Sequence, residues 1–91
     1  MFAITDSKGF NMKFENGHTV SVQFGMFNYC DNRMINFSDD AVSPNAEVAV
    51  WNSDGDYITS QFTPYADPNV VGWVTPDEVA RIIFAVSQDK S

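Results

Sequence analysis

The chain carries one cysteine, one histidine and only five basic residues in 91. A single thiol, Cys30, excludes an internal disulfide framework and points to a reducing compartment. Five Lys and Arg against twelve Asp and Glu leave a formal charge of −7. That sign opposes any sequence-independent grip on a phosphate backbone, so no direct nucleic-acid binding is expected. No apolar run is long enough to cross a bilayer, and the first residues lack the pattern of a secretory leader. A cytoplasmic protein without a membrane span is the expectation.

The familiar catalytic patterns are missing as well. There is no Gly-rich phosphate loop, no Cys-x-x-Cys and no Ser-His-Asp set. His18 and Cys30 form the one conceivable thiol–imidazole pair, but roughly ten residues of extended chain separate them. Asp39-Asp40 and Asn52-Ser53-Asp54-Gly55-Asp56 offer oxygen ligands. The glycine comes one step too early for a calcium loop, however, and turn chemistry accounts for the segment. No enzyme, catalytic residue, metal or cofactor is expected.

What the chain does have is aromatic surface. Eight Phe, three Tyr and two Trp are more than one small core can hide, which directs some of them to an interface or a ligand.

Two hairpins are written in the pattern. Phe10, Met12 and Phe14 alternate with polar residues, as do Val20, Val22 and Phe24, and Asn16-Gly17 lies between the runs. A two-residue turn would set apolar against polar side chains. A three-residue loop, Glu15-Asn16-Gly17 with Gly17 left-handed, pairs Phe14 with His18, Met12 with Val20 and Phe10 with Val22, giving one apolar face. The same logic applied to Ser53-Asp54-Gly55 pairs Val50 with Ile58, Val48 with Ser60, Ala46 with Phe62 and Trp51 with Tyr57.

Thr75-Pro76-Asp77-Glu78 then announces a helix: a capping threonine, proline at the first helical position and a glutamate that completes the capping box. Val79, Ile82, Ile83 and Val86 fall on one stripe about 100° wide. Phe84 lies roughly 140° around from Val79, which leaves it packed on a loop or placed in an oligomer or partner contact.

The expected fold is a single α+β domain over 1–91: a four-stranded, mainly antiparallel sheet of two β-hairpins packed on one C-terminal helix. The parts are a hairpin over 10–25, a long loop over 26–45, a hairpin over 46–62, a loop over 63–74 and a helix over 76–88. Phe2-Ala3-Ile4 can add a short edge strand.

Two places draw functional attention. The loop 26–45 is longer than compact domains keep without use. It holds Asn28, Tyr29, Cys30, Asp31, Asn32 and Arg33, and Arg33 is the only basic residue between Lys13 and Arg81. A planar fork, amides and a ring suit a small polar ligand; a salt bridge from Arg33 to Asp31, Asp39 or Asp40 is the structural alternative. The second place is the sheet face turned from the helix, bearing Asn11, Lys13, Thr19, Ser21, Gln23, Glu47, Ala49, Trp51, Tyr57, Thr59 and Gln61. Trp51 beside Tyr57 serves as a cross-strand pair, an interface or a stacking platform.

Gly9-Phe10-Asn11-Met12-Lys13-Phe14, Asn16-Gly17-His18-Thr19-Val20-Ser21-Val22-Gln23-Phe24-Gly25, Asn28-Tyr29-Cys30-Asp31-Asn32, Ala46-Glu47-Val48-Ala49-Val50-Trp51 and Gly72-Trp73-Val74-Thr75-Pro76-Asp77-Glu78-Val79 together resemble small uncharacterised proteins of phage and prophage genomes. That resemblance implies a protein acting by binding in the host cytoplasm. The expectation is a non-enzymatic protein that counters host defence by sequestering a small nucleotide-like signal. Asn28, Tyr29, Asn32 and Arg33 would grip the ligand, with Trp51, Tyr57 and Trp73 as stacking surfaces. A homo-oligomer is expected, with Phe84, Trp51 and Tyr57 at its interface. The alternatives are an anti-CRISPR-like inhibitor that covers a host defence protein with an acidic surface, and a virion or assembly component.

Overall fold

The computed structural model describes residues 1–5, 8–25, 43–67 and 69–90. Its elements are β1 (Phe2–Thr5), β2 (Gly9–Lys13), β3 (Thr19–Gln23), β4 (Ala46–Trp51), β5 (Val70–Val74) and α1 (Pro76–Gln88). The strands form one antiparallel sheet in the order β1-β2-β3-β4-β5, and α1 packs across β3 and β4. This is an α+β fold with five strands: β2, β3 and β4 come from the expected hairpins, and β1 and β5 flank them. No helix among the described residues is long and apolar enough to cross a membrane.

The first hairpin has the bulged register. Phe10 pairs with Val22 and Met12 with Val20. The Phe14 amide donates to the His18 carbonyl at 2.9 Å, and Gly17 sits at φ +94°. A side chain at Gly17 would be strained at that φ and would also meet the Ser53 Cβ at 3.1 Å, so glycine is required there. The loop at 53–55 repeats the geometry: Asn52 N–H donates to Asp56 O at 2.9 Å, and Gly55 has φ +86°.

The second hairpin closes only at its turn. Trp51 and Tyr57 bridge, and Ile58 N–H reaches Val50 O at 2.8 Å. The chain then leaves the sheet as a 3-10 turn over Thr59–Gln61, so the expected pairings of Val48 with Ser60 and Ala46 with Phe62 do not form. In their place β5 pairs Val71 with Val48 and Val74 with Ala46. The physical reason is in the side chains. Ser60 opposite Val48 would put a hydroxyl into the core, whereas Val71 fills that position at 7 % exposure. Thr59 completes the exchange: its hydroxyl accepts from Val50 N–H at 2.9 Å and donates to Asn69 O at 2.6 Å.

Helix α1 has the boundaries expected of it. Thr75 Oγ1 accepts from the Glu78 amide at 3.4 Å. Thr75→Ala is expected to lower stability by about 1 kcal/mol, read as a fall in the thermal midpoint. Ile82 and Val86 are fully buried against Val20, Val22, Val48, Val50, Val71 and Val74. The β-branched valines suit the strands and the two helical residues close the layer above them.

The end of the helix is tied to the first turn. Asn16 Nδ2 donates to the carbonyls of Val86 and Asp89, each at 2.8 Å, while Asn16 Oδ1 accepts from the His18 amide at 2.9 Å. One side chain thus adds a second donor to the Val86 carbonyl, which also accepts from Asp89 N–H at 3.2 Å, and gives one to the carbonyl of the C-cap residue Asp89. His18 adds a second tie through Nε2 to Asp89 Oδ2 at 2.8 Å.

Candidate functional site

The sheet registers build a site on the face away from α1. Antiparallel partners share a face, so Lys13↔Thr19↔Trp51↔Tyr57 form one row across β2, β3, β4 and the start of the 57–62 segment. Lys13 is exposed, Tyr57 is 52 % exposed and Trp51 is half-buried. The two rings stand edge to face, centroids 6.1 Å apart and planes at 74°. They make a corner in which Tyr57 is the more exposed ring. Lys13 and Trp51 lie two strand spacings apart, about 10 Å, within reach of a flexible ammonium side chain.

The next row, Ala3↔Asn11↔Ser21↔Ala49↔Val70, is small. Thr19, Ser21 and Ala49 are buried, not displayed as the alternation suggested, and Thr59 is drawn into the interior at 1 % exposure. Asn11 Oδ1 is buried without a hydrogen-bond partner among the described residues. Gln23 Nε2 donates to Ser21 Oγ at 3.1 Å.

The sequence-predicted site residues do not all meet. Trp73 belongs to the other end of the sheet: Val74 pairs with Ala46 at the start of β4, roughly 16 Å of strand from Trp51. There β5 bulges, and Trp73 takes φ +53°, a conformation that costs an L-residue about 1–2 kcal/mol. Trp73 shares a cavity of about 230 Å³ with Thr63, Tyr65, Thr75 and Glu78. Glu78 is bonded by Arg81 at 2.6 and 2.8 Å, and that hydrogen bond holds its carboxyl below the usual range. The pair is solvent-exposed and adds little to stability. Phe84 stands on the helix side of the sheet at 67 % exposure, opposite to Trp51 and Tyr57, so one flat contact does not take in all three. Asn28, Tyr29, Asn32 and Arg33, with Cys30, Asp31, Asp39 and Asp40, lie outside the described residues.

A second concavity opens on the helix side. An apolar groove of about 290 Å³ is bounded by Phe10, Val22 and Phe24 of the sheet and by Val79, Ala80 and Ile83 of α1.

Lys13 stands in the sequence as one residue of the polar face; its place in one row with Trp51 depends on the pairing of β3 with β4, two strands far apart along the chain. No protein-family model, curated protein or solved structure matches the chain.

Proposed function

We propose that the chain is a non-enzymatic binding protein of the phage type its sequence resembles, and that it counters host defence by sequestering a small nucleotide-like signal. The observation that carries this reading is the row Lys13–Thr19–Trp51–Tyr57. A base seated in the corner of the two rings would stack on a π-face, and a phosphate carried on the same ligand would face the Lys13 ammonium. The rest of the row is uncharged, which spares an anion the repulsion of a −7 chain.

Calorimetry with adenosine, its monophosphate and a cyclic dinucleotide tests this. Trp51→Ala is expected to abolish binding of all three. Lys13→Ala is expected to weaken the phosphate-bearing ligands about tenfold and leave the nucleoside unchanged. An unaltered affinity in the Trp51 variant would remove the site. Arg33→Ala measures what the segment 26–42 contributes.

The second reading is an inhibitor of a host defence protein. It is favoured by the exposed carboxylates Glu15, Asp54, Asp56, Asp67 and Asp77, which suit a basic partner surface. Such an association would weaken as salt rises.

A further inference from the structure

We infer that β1 is a homodimer interface, pairing antiparallel with β1 of a second copy about a two-fold axis through Ala3. Three observations converge on it, and none depends on the ligand reading.

The first is the hydrogen-bond parity of the edge. The Lys13 amide donates to Met1 O at 2.9 Å and the Met1 amino group to Lys13 O at 3.0 Å. Met1 and Lys13 are therefore a hydrogen-bonded pair, and alternation makes Ala3 and Asn11 the next one. The N–H and C=O groups of Phe2 and Ile4 consequently point outward, to the edge that no other described strand occupies. In a second copy they meet their own complement. With Ala3 on the axis, Phe2 lies opposite Ile4 of the partner subunit and Ile4 opposite Phe2 of the partner subunit. Both are hydrogen-bonded pairs in the antiparallel pattern. A register shifted by one residue would point these groups away from each other.

The second observation is the apolar face. Phe2 and Ile4 stand on the α1 side of the sheet, 72 % and 82 % exposed. Phe2 meets Phe10 edge-on with centroids 6.3 Å apart, and Phe10 is a wall of the 290 Å³ groove. The exposed apolar surface thus runs from the edge into the groove. A two-fold axis perpendicular to the sheet keeps both helices on one side. It brings Phe2 and Ile4 of each copy together between them.

The third is the lack of protection. Phe2–Thr5 reads Phe-Ala-Ile-Thr, with no lysine, proline or bulge of the kind that natural edge strands use to refuse a partner. Met1, Phe2 and Ile4 at 90 %, 72 % and 82 % exposure place roughly 500 Å² per copy at this edge, about 1,000 Å² for the pair. That is the lower bound for a specific interface, which suits a weak dimer whose formation depends on concentration.

Charge gives the proposal a sign. Phe2–Thr5 carries no charged side chain while each copy carries a formal −7, so added salt screens repulsion and strengthens the dimer. Docking on a basic protein responds in the opposite direction.

Sedimentation velocity from low micromolar to submillimolar concentration, at low and high salt, tests it. The wild type is expected to shift from monomer to dimer with concentration, and further toward dimer at high salt. Ile4→Pro removes an outward N–H that the fold does not use, as edge strands tolerate. Ile4→Lys places a charge between the copies. Both variants are expected to remain monomeric throughout with unchanged circular dichroism. Wild type that stays monomeric across the range overturns the proposal and leaves the edge to a foreign strand. A dimer that survives Ile4→Lys overturns it in favour of another surface.

Discussion

Ile82→Ala is expected to cost about 3–4 kcal/mol and to lower the thermal midpoint by roughly 15 °C or more. Ile82 is fully buried at the centre of the contact between α1 and the sheet. Truncation removes three methyl or methylene groups from a close-packed layer whose strands are hydrogen-bonded in place and do not collapse inward. A chain of this size has a total stability of roughly 5–10 kcal/mol, so the loss takes a large part of it. Phe84→Ala, two residues along the same helix, is the control. At 67 % exposure its ring contributes little to the core, and the expected change is within about 0.5 kcal/mol. Thermal melts followed by circular dichroism check both. Equal losses at the two positions would mean that α1 packs through a different face.

Asn16→Ala is expected to cost about 2–3 kcal/mol, because it strips the two donors from the carbonyls of Val86 and Asp89 and the acceptor from the His18 amide. Asn16→Asp distinguishes the tie from the turn. Aspartate keeps an acceptor for His18 and suits the turn nearly as well as asparagine. It has lost the donors, however, and sets a negative charge against the negative end of the α1 dipole, beside Asp89. The aspartate variant is therefore expected to be at least as unstable as the alanine variant. If Asn16 mattered only for the turn, aspartate would be nearly neutral. Chemical denaturation of the three proteins at neutral pH separates these outcomes.

Asn16 also illustrates what the sequence could and could not announce. Asn16-Gly17 is legible as a turn because the conformational demand is local, and so are the loop at 53–55 and the boundary at Thr75-Pro76. The second role of Asn16 spans 70 and 73 residues, and no pattern near residue 16 encodes it. The same division explains the missed strand. Val70-Val71-Gly72-Trp73 sits in a Pro-punctuated stretch, and the β-bulge breaks the alternation that would have marked it. Asp56–Phe62 did alternate, but local alternation says nothing about which strand offers β4 the better core residue. Val71 prevails over Ser60 on burial, a comparison available only once the sheet is assembled.

For the candidate site, Trp51 beside Tyr57 was legible from one hairpin register, and the structure retains that pair. Joining Lys13 to it, and separating Trp73 and Phe84 from it, required the order of all five strands. The ligand reading has therefore moved from the loop with three stacking rings to a row on a fixed sheet backbone, where each side chain can be removed without unmaking a turn.

Native mass spectrometry of the full-length protein isolated from cells that express it addresses the binding claim most directly. The account predicts a retained adduct of nucleotide mass, present in the wild type and absent from Trp51→Ala. A bare polypeptide, with no adduct even after adenosine monophosphate and a cyclic dinucleotide are supplied, would contradict it.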